Sequence, residues 1–356
     1  MPGTHRRAEV TAQRVLTEED LSALIADAMD ASWLDLSRRP LPAVLDTDFV
    51  RTGLHYQLRN GIPPRSVRTA QRGSLRLFME YDTLTETEAR LPKFADQLGV
   101  PVADLRRVLN EDWLPHVDVV KLPASLRRAD PRALQIRDRD IGDFPAGALA
   151  ALLSPCLLLT CNYKHFGALG VRTRSQAVDG VMAVAAINIG EMQVQVIVMI
   201  PAAPAMAAGA AVKWASDRFG PAACVILGVL IGGGFYWYRK QLPERRERVK
   251  QVAGEIGTHL LEEYGTAAGR VNRARMLLRA CVVPSPQQRT PVSAIMRELA
   301  LSPESLSAQQ LTDLLDPSVR PSVADLRAFL RAHDTTVFAQ VRRGGFVLGS
   351  HYELPG

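Results

Sequence analysis

Sulfur, aromatic rings and early apolar runs are scarce in this chain. Its 356 residues include four cysteines, and Cys156, Cys161, Cys224 and Cys281 have neither the paired spacing of a zinc site nor the density of a disulfide framework. They read as buried thiols of a reducing compartment. The opening residues, MPGTHRRAEV, lack the apolar core of a signal peptide. Aromatic residues make up only 6%, but 47% hydrophobic and 22% charged residues is a globular balance, enough for two or three compact units. The net charge of +6 is concentrated after an apolar segment that ends near residue 238. Basic flanks of that kind set membrane topology, so the charge alone does not argue for nucleic acid.

Short apolar runs alternate with helical patterns through the first half of the chain. PAVLD predicts a strand, and FVRTGLHYQLRNG a helix stopped by Gly61 and Pro63-Pro64. LRLFMEYDT predicts a second strand and TETEARLPKFADQLG a second helix. VADLRRVLNEDWL, the strand HVDVVKL, the helix FPAGALAALL and the strand CLLLT follow, with VRTR as a short last strand. Strands alternating with helices imply a doubly wound α/β domain with a parallel sheet. Ahead of it, Thr17-Glu18-Glu19-Asp20 forms a capping-box start for the helix of an N-terminal extension over residues 1–40.

The composition changes after residue 180. The stretch 181–240 is apolar, and PAACVILGVLIGGGFYWY at 221–238 has no charge and nearly the length of a bilayer span. Arg239, Lys240, Arg245, Arg246 and Arg248 follow it, which places this end in the cytoplasm. A weaker run at 194–212 would complete a hairpin, leaving both flanking domains cytoplasmic at the cell membrane. Without insertion the protein is expected in the cytoplasm. Residues 241–285 read as an amphipathic helical linker.

Residues 286–356 predict three short helices, the later two opened by Ser307 and Ser322. A hairpin turning at Arg343-Gly344-Gly345 closes the chain. This outline loosely resembles a winged helix. Arg327, Arg331, Arg342 and Arg343 would offer cations to nucleic acid, whereas Asp313 and Asp316 leave the second helix poor in base-reading side chains; a protein partner fits this unit nearly as well.

Acidic residues punctuate the α/β domain at places where its strands end and its helices begin. Asp46 and Asp48 follow the first strand, and Asp140 and Asp143 open the FPAGALAALL helix. In an open α/β sheet the carboxyl edge of the strands is where ligands bind. Carboxylates gathered there suit Mg²⁺ or Mn²⁺. Aspartate before a helix also serves as a simple N-cap, so convergence decides between the two readings.

The order LDTDF, TETEARLPKFA, DIGDFPAGALAALL and LLLTCNYKHF resembles that of PIN (PilT N-terminus) domains over residues 41–172 of a domain spanning 41–180. The resemblance implies a sheet-edge acidic cluster that binds Mg²⁺ or Mn²⁺ and cleaves RNA, and a fold that often forms homodimers. By position, Asp46 matches the first acid, with Asp48 at the neighbouring polar position. Glu86 matches the helix-borne glutamate, five residues before Leu91-Pro92, with Glu88 as its competitor. Asp140 and Asp143 match the third acidic block, and Thr160 the hydroxyl residue before the last acid. Asn162 stands where many members carry aspartate. Its amide oxygen can still coordinate a hard cation, with one negative charge fewer.

The resemblance therefore implies Asp46, Glu86, Asp140 and Asp143 as catalytic metal ligands with Asn162 beside them. Asp48, Thr160, Lys164 and His165 would contact substrate, the last two through phosphate. Two functions remain open. One is a membrane-tethered ribonuclease that uses a metal-activated water, and the other a catalytically weakened PIN fold that binds nucleic acid or protein.

Overall fold

The computed structural model describes residues 39–195, 197, 243–286, 289–333, 337–341 and 345–351. The capping box at Thr17, nearly all of the apolar run from 194 to 212, the run from 221 to 238, and Arg342 to Gly344 of the expected hairpin turn lie outside the described residues. The described residues fall into two compact units, one within 34–189 and 271–356, the other within 190–270. In the second unit Val194, Tyr264 and Ala267 pack together.

The first unit is built on a parallel four-stranded sheet. Strands β1 (Leu41–Leu45), β2 (Leu75–Glu80), β3 (Val117–Val120) and β4 (Leu157–Leu159) lie in the order β4-β1-β2-β3. Successive side chains alternate between faces, and both faces are covered, so the strands are mostly apolar, with Arg76, Glu80 and Asp118 as the charged exceptions. Ala43, Leu45, Leu77, Met79, Leu157 and Leu159 enter one core. Val44, Phe78, Val120 and Leu158 enter the other.

Helix α1 (Thr47–Asn60) follows β1 with one residue between and stops at Gly61, whose φ of 69° is left-handed backbone that glycine adopts freely. Val50 and Leu54 of α1 are buried in the core that contains Leu45. Gly53 lets Trp113 lie against the helix, since a Cβ there would run into the Trp113 ring. The Trp113 indole donates to Gln57 Oε1 at 2.9 Å, and Gln57 Nε2 donates to Asp112 Oδ2 at 2.6 Å. This buried ring is therefore held by packing and polar contacts together. Helix α2 (Arg65–Gln71) leads into β2.

The second strand is shorter than LRLFMEYDT predicts. Glu80 turns its carboxylate onto the backbone N–H of Asp82 at 2.6 Å and caps α3 (Tyr81–Leu98), so Tyr81, Asp82 and Thr83 are helical. The single helix expected over VADLRRVLNEDWL is α4 (Val102–Arg107) continued by a π-helical turn, Val108–Trp113. Short helices α5 (Ala124–Arg127) and α6 (Pro131–Arg137) then lead to α7 (Phe144–Leu153), buried along its whole length beneath the sheet.

The expected strand at VRTR is a loop. Arg172 N–H donates to the Gln176 side chain at 2.9 Å instead of to a neighbouring strand, and the chain enters helix α8 (Gln176–Gln195). The domain boundary expected at residue 180 thus falls inside a helix. Among the described residues α8 alone has the length and hydropathy to cross a membrane, but half of its apolar window is buried. Ala177, Val181 and Val184 belong to the core around Leu157, while Val178, Met182 and Ile189 are exposed.

A long helix, α9 (Pro243–Cys281), precedes α10 (Pro291–Leu301), α11 (Ala308–Leu314) and α12 (Val323–Ala332). Ser307 forms a reciprocal capping box with Gln310, and the Ser322 hydroxyl accepts from Asp325 N–H, as their positions predict. Strands β5 (Phe338–Gln340) and β6 (Phe346–Leu348) pair antiparallel, and Leu306 bridges to Phe346.

The tail from residue 286, read from the sequence as a winged-helix-like unit, shares a core with the α/β sheet. Ile295, Met296 and Leu299 pack in the same cluster as Val44, Phe78 and Leu158. Arg76 on β2 pairs with Asp118 at 2.6 Å and donates to the carbonyls of Leu299 and Ser302 at 2.8 and 2.7 Å. Ser293 donates to Leu152 O at 2.7 Å. A last strand, β7 (Ser350–His351), adds antiparallel to β3.

Candidate metal centre

The strand order reverses beside β1. The chain lays β2 and then β3 to one side of β1, and returns to place β4 on the other. The crevice outside the carboxyl ends of β1 and β4 is therefore the topological switch point, where open α/β sheets bind ligands. Asp46 directly follows β1 and Thr160 directly follows β4, and Asp46 N–H donates to Leu159 O at 3.1 Å across the pair.

Asp46 and Asp143 both occupy helix N-cap positions, yet neither side chain caps its helix. The Asp46 carboxylate accepts the Thr160 hydroxyl at 2.7 Å instead, and the same Thr160 oxygen accepts Asn162 N–H at 2.9 Å. Asn162 Nδ2 lies 3.1 Å from Asp143 Oδ2, and His165 Nδ1 lies 2.6 Å from that oxygen. Asp140 Oδ2 stands 3.2 Å from His165 Nδ1, while its other oxygen accepts Gly142 N–H at 2.9 Å. The Asp46–Thr160 contact that starts this network joins residues 114 positions apart. The fold gathers carboxylates that a capping role would have kept separate.

Glu86 joins from α3. Its carboxylate accepts the Thr47 hydroxyl at 3.2 Å, pairs with Arg90 on its own helix and lies beside Gly142 in the Asp140 loop. Glu88, the competing glutamate, has a buried, unpartnered oxygen, and its charge is balanced from Arg106 on α4. Burial holds the Glu88 carboxyl above its ordinary range. The structure thus brings Asp46, Glu86, Asp140, Asp143, Thr160 and Asn162 to one edge.

Asp48 sits at the rim, 3.7 Å from Arg51, and Lys164 is exposed. Two expected contacts differ in detail. His165, expected at phosphate, faces Asp140 and Asp143. Asn162, expected to offer its oxygen, turns its amide nitrogen toward Asp143. With an anionic oxygen opposite, a donor is the favourable face to present.

The electrostatics of the cleft favour a cation. Asp46 is 3% exposed. Burial, reinforced by the charge of Asp143, pushes its carboxyl up to about 7. Burial also raises Asp143, and the nearby Asp140 charge adds to this against the opposing contact with His165. Among the described residues no lysine or arginine pairs with Asp46. Asp140, Asp143 and His165 place one ligand atom each within 4.8 Å of one another, a group that could hold a metal ion. Carboxylate and imidazole donors fit a divalent first-row ion.

One strand over, an arrangement not anticipated from the sequence ends β2. Glu80, fully buried, receives Arg127 Nη2 at 2.8 Å and Leu122 N–H at 3.1 Å, and the same guanidinium pairs with Asp82. Burial raises the Glu80 carboxyl even against the Arg127 charge. The role of Thr47 was missed as well, although its place between Asp46 and Asp48 was a usable signal. His165 could have been placed by its spacing of three from Asn162, which one turn brings to the same side.

Comparisons with known protein families, with curated proteins and with solved structures returned no match to this chain.

Proposed function

We propose that this chain is a membrane-tethered, PIN-like ribonuclease dependent on Mg²⁺ or Mn²⁺. The observation that carries the reading is the convergence of Asp46, Glu86, Asp140 and Asp143 at the switch point of a parallel sheet, with none of the three aspartates spent on capping a regular helix through its side chain. A divalent ion bound there supplies charge for phosphate oxygens and lowers the pKa of a water for in-line attack.

The protein's own groups then have separate tasks. Asp140, Asp143 and Asp46 supply the negative charge that would hold such an ion. Thr160 fixes the rotamer of Asp46, and Thr47 orients Glu86 at the mouth of the cleft. The N-termini of α1 and α7, neither capped by the side chain of its N-cap aspartate, open onto the same edge, and a helix N-terminus favours an anionic substrate. Exposed Lys164 adds a cation for the RNA backbone.

Purified full-length protein incubated with Mn²⁺ or Mg²⁺ is expected to cleave a mixed-sequence RNA. Glu86→Gln lowers the rate about tenfold or more, as loss of a metal-site partner does, whereas Glu88→Gln leaves it near wild type. Equal rates for the two variants would remove Glu86 from the site. Metal binding without cleavage would favour the second reading, a PIN-like binding module. The amide of Asn162 supports that alternative, because it donates to Asp143 where an acid would add charge.

The tether rests on the uncharged run at 221–238 and the basic residues that follow it, and the reading places the α/β and C-terminal parts in the cytoplasm. The protein is expected in the membrane fraction, resistant to high salt and to alkaline wash. Release by either treatment would discard the tether without touching the nuclease reading.

A further inference from the structure

The acidic centre contains a nitrogen donor that an all-oxygen site would lack. His165 Nδ1 lies 2.6 Å from Asp143 Oδ2 and 3.2 Å from Asp140 Oδ2. Asn162 Nδ2 crowds the same point, 2.8 Å from the ring nitrogen and 3.1 Å from the same Asp143 oxygen. With both carboxylates ionised and the Asn162 amide nitrogen facing the ring, no placement of protons satisfies all four contacts. With a hydrogen on Nδ1, two N–H donors face each other. With Nδ1 bare, its lone pair faces two carboxylate oxygens.

A cation at this point removes the conflict, because the ring lone pair and both carboxylate oxygens then point at positive charge. The spacing suits one. Ligands about 2.1 Å from a metal on adjoining octahedral corners stand about 3 Å apart. The observed separations of 2.6 and 3.2 Å lie on either side of that value. The buried Asp46 carboxylate, with no cationic partner among the described residues, is a separate sign that the cleft is short of positive charge.

We infer that His165 Nδ1 joins Asp140 and Asp143 in a mixed nitrogen and oxygen face that selects Mn²⁺, Fe²⁺ or Zn²⁺ over Mg²⁺. The selection follows from ligand chemistry: imidazole suits first-row transition ions, whereas Mg²⁺ keeps to oxygen ligands and retains its waters. The inference rests on the metal centre of the proposed function and is independent of whether RNA is the substrate. Asn162 then acts as a positioning residue that steadies Asp143.

Full-length protein loaded with Mn²⁺ tests this directly. Pulsed electron paramagnetic resonance of the bound ion is expected to show coupling to a directly bonded imidazole nitrogen, and His165→Gln abolishes it. Equilibrium titrations of the same variant should show Mn²⁺ and Zn²⁺ weakened by roughly tenfold or more, with Mg²⁺ close to wild type. The wild-type spectrum decides the matter even if the variant fails to fold. Bound Mn²⁺ without nitrogen coupling overturns the inference and leaves the metal centre standing. Nitrogen coupling in a protein that cleaves no RNA leaves the inference standing and overturns the nuclease reading. Failure to bind Mn²⁺, Zn²⁺ or Mg²⁺ overturns both.

Discussion

Asp46→Asn is expected to stabilise the metal-free protein at pH 8 while abolishing its metal-dependent cleavage. The carboxyl of Asp46 titrates near 7 in the folded chain against a usual 3.8. A carboxyl raised in this way leaves folding unpenalised below the unfolded value. Stability is then lost as pH rises toward and through the folded value, because the unfolded chain ionises first. The loss, a few kcal/mol, is fully developed by pH 8. Asparagine does not titrate, so the two proteins should match near pH 4 and separate as pH rises.

Divalent metal held by the proposed centre should reverse the order at pH 8, since it would bind the folded wild type and relieve the buried charge. The variant should gain much less from metal, and its RNA cleavage should fall by roughly a hundredfold or more, at least the loss seen when a group supporting a metal ligand is removed. Thermal melts from pH 4 to 8, with and without Mn²⁺, check the first part, and a cleavage assay the second. Parallel pH profiles for wild type and variant would show that Asp46 carries no such strain.

Arg127→Met has the second large effect, on stability alone. Glu80 is fully buried and shares its charge with Arg127 and two backbone N–H groups. Removing the guanidinium leaves that charge without an ionic partner, which typically costs about 3–5 kcal/mol. The Glu80 carboxyl already lies above its usual range through burial, and losing Arg127 moves it further up. By the same sign argument the deficit should grow with rising pH and shrink as the medium becomes acidic enough to protonate Glu80. Urea unfolding at pH 5 and pH 8 measures it, and adding Glu80→Gln should return part of the loss. A deficit below about 1 kcal/mol, of the size expected for an exposed pair, would mean the pair does not behave as buried.

The elements legible in the sequence were those governed by local rules. β1, α7 and β4 are short apolar runs with clear stops, and Gly61, Ser307 and Ser322 mark helix ends through backbone and hydroxyl chemistry that needs no distant partner. The acidic positions were also visible, because each stands where a strand ends or a helix begins. Their convergence was not visible, since it depends on β4 crossing back beside β1.

Side-chain decisions were hidden for a related reason. Glu80 ends β2 by accepting a backbone N–H, and Gln176 takes the hydrogen bond that a strand at VRTR would have made elsewhere. The membership of the tail in the α/β core depends on contacts such as Arg76 with Leu299 and Ser302, more than two hundred residues apart. Period and composition carry no record of such pairings. That Glu86 and not Glu88 meets Thr47 likewise depends on which helix face turns toward β1.

The late arrival of α10 has a consequence for synthesis. This helix covers part of the core that contains Val44, Phe78 and Leu158, but it lies far downstream of β4 in the sequence. At translation rates of about 5–20 residues per second, the sheet waits on the order of ten seconds for that cover. Over that interval an apolar face of the nascent domain remains partly open beside the ribosome. A chaperone, or rapid delivery of the chain to its destination, would have its greatest effect in that window.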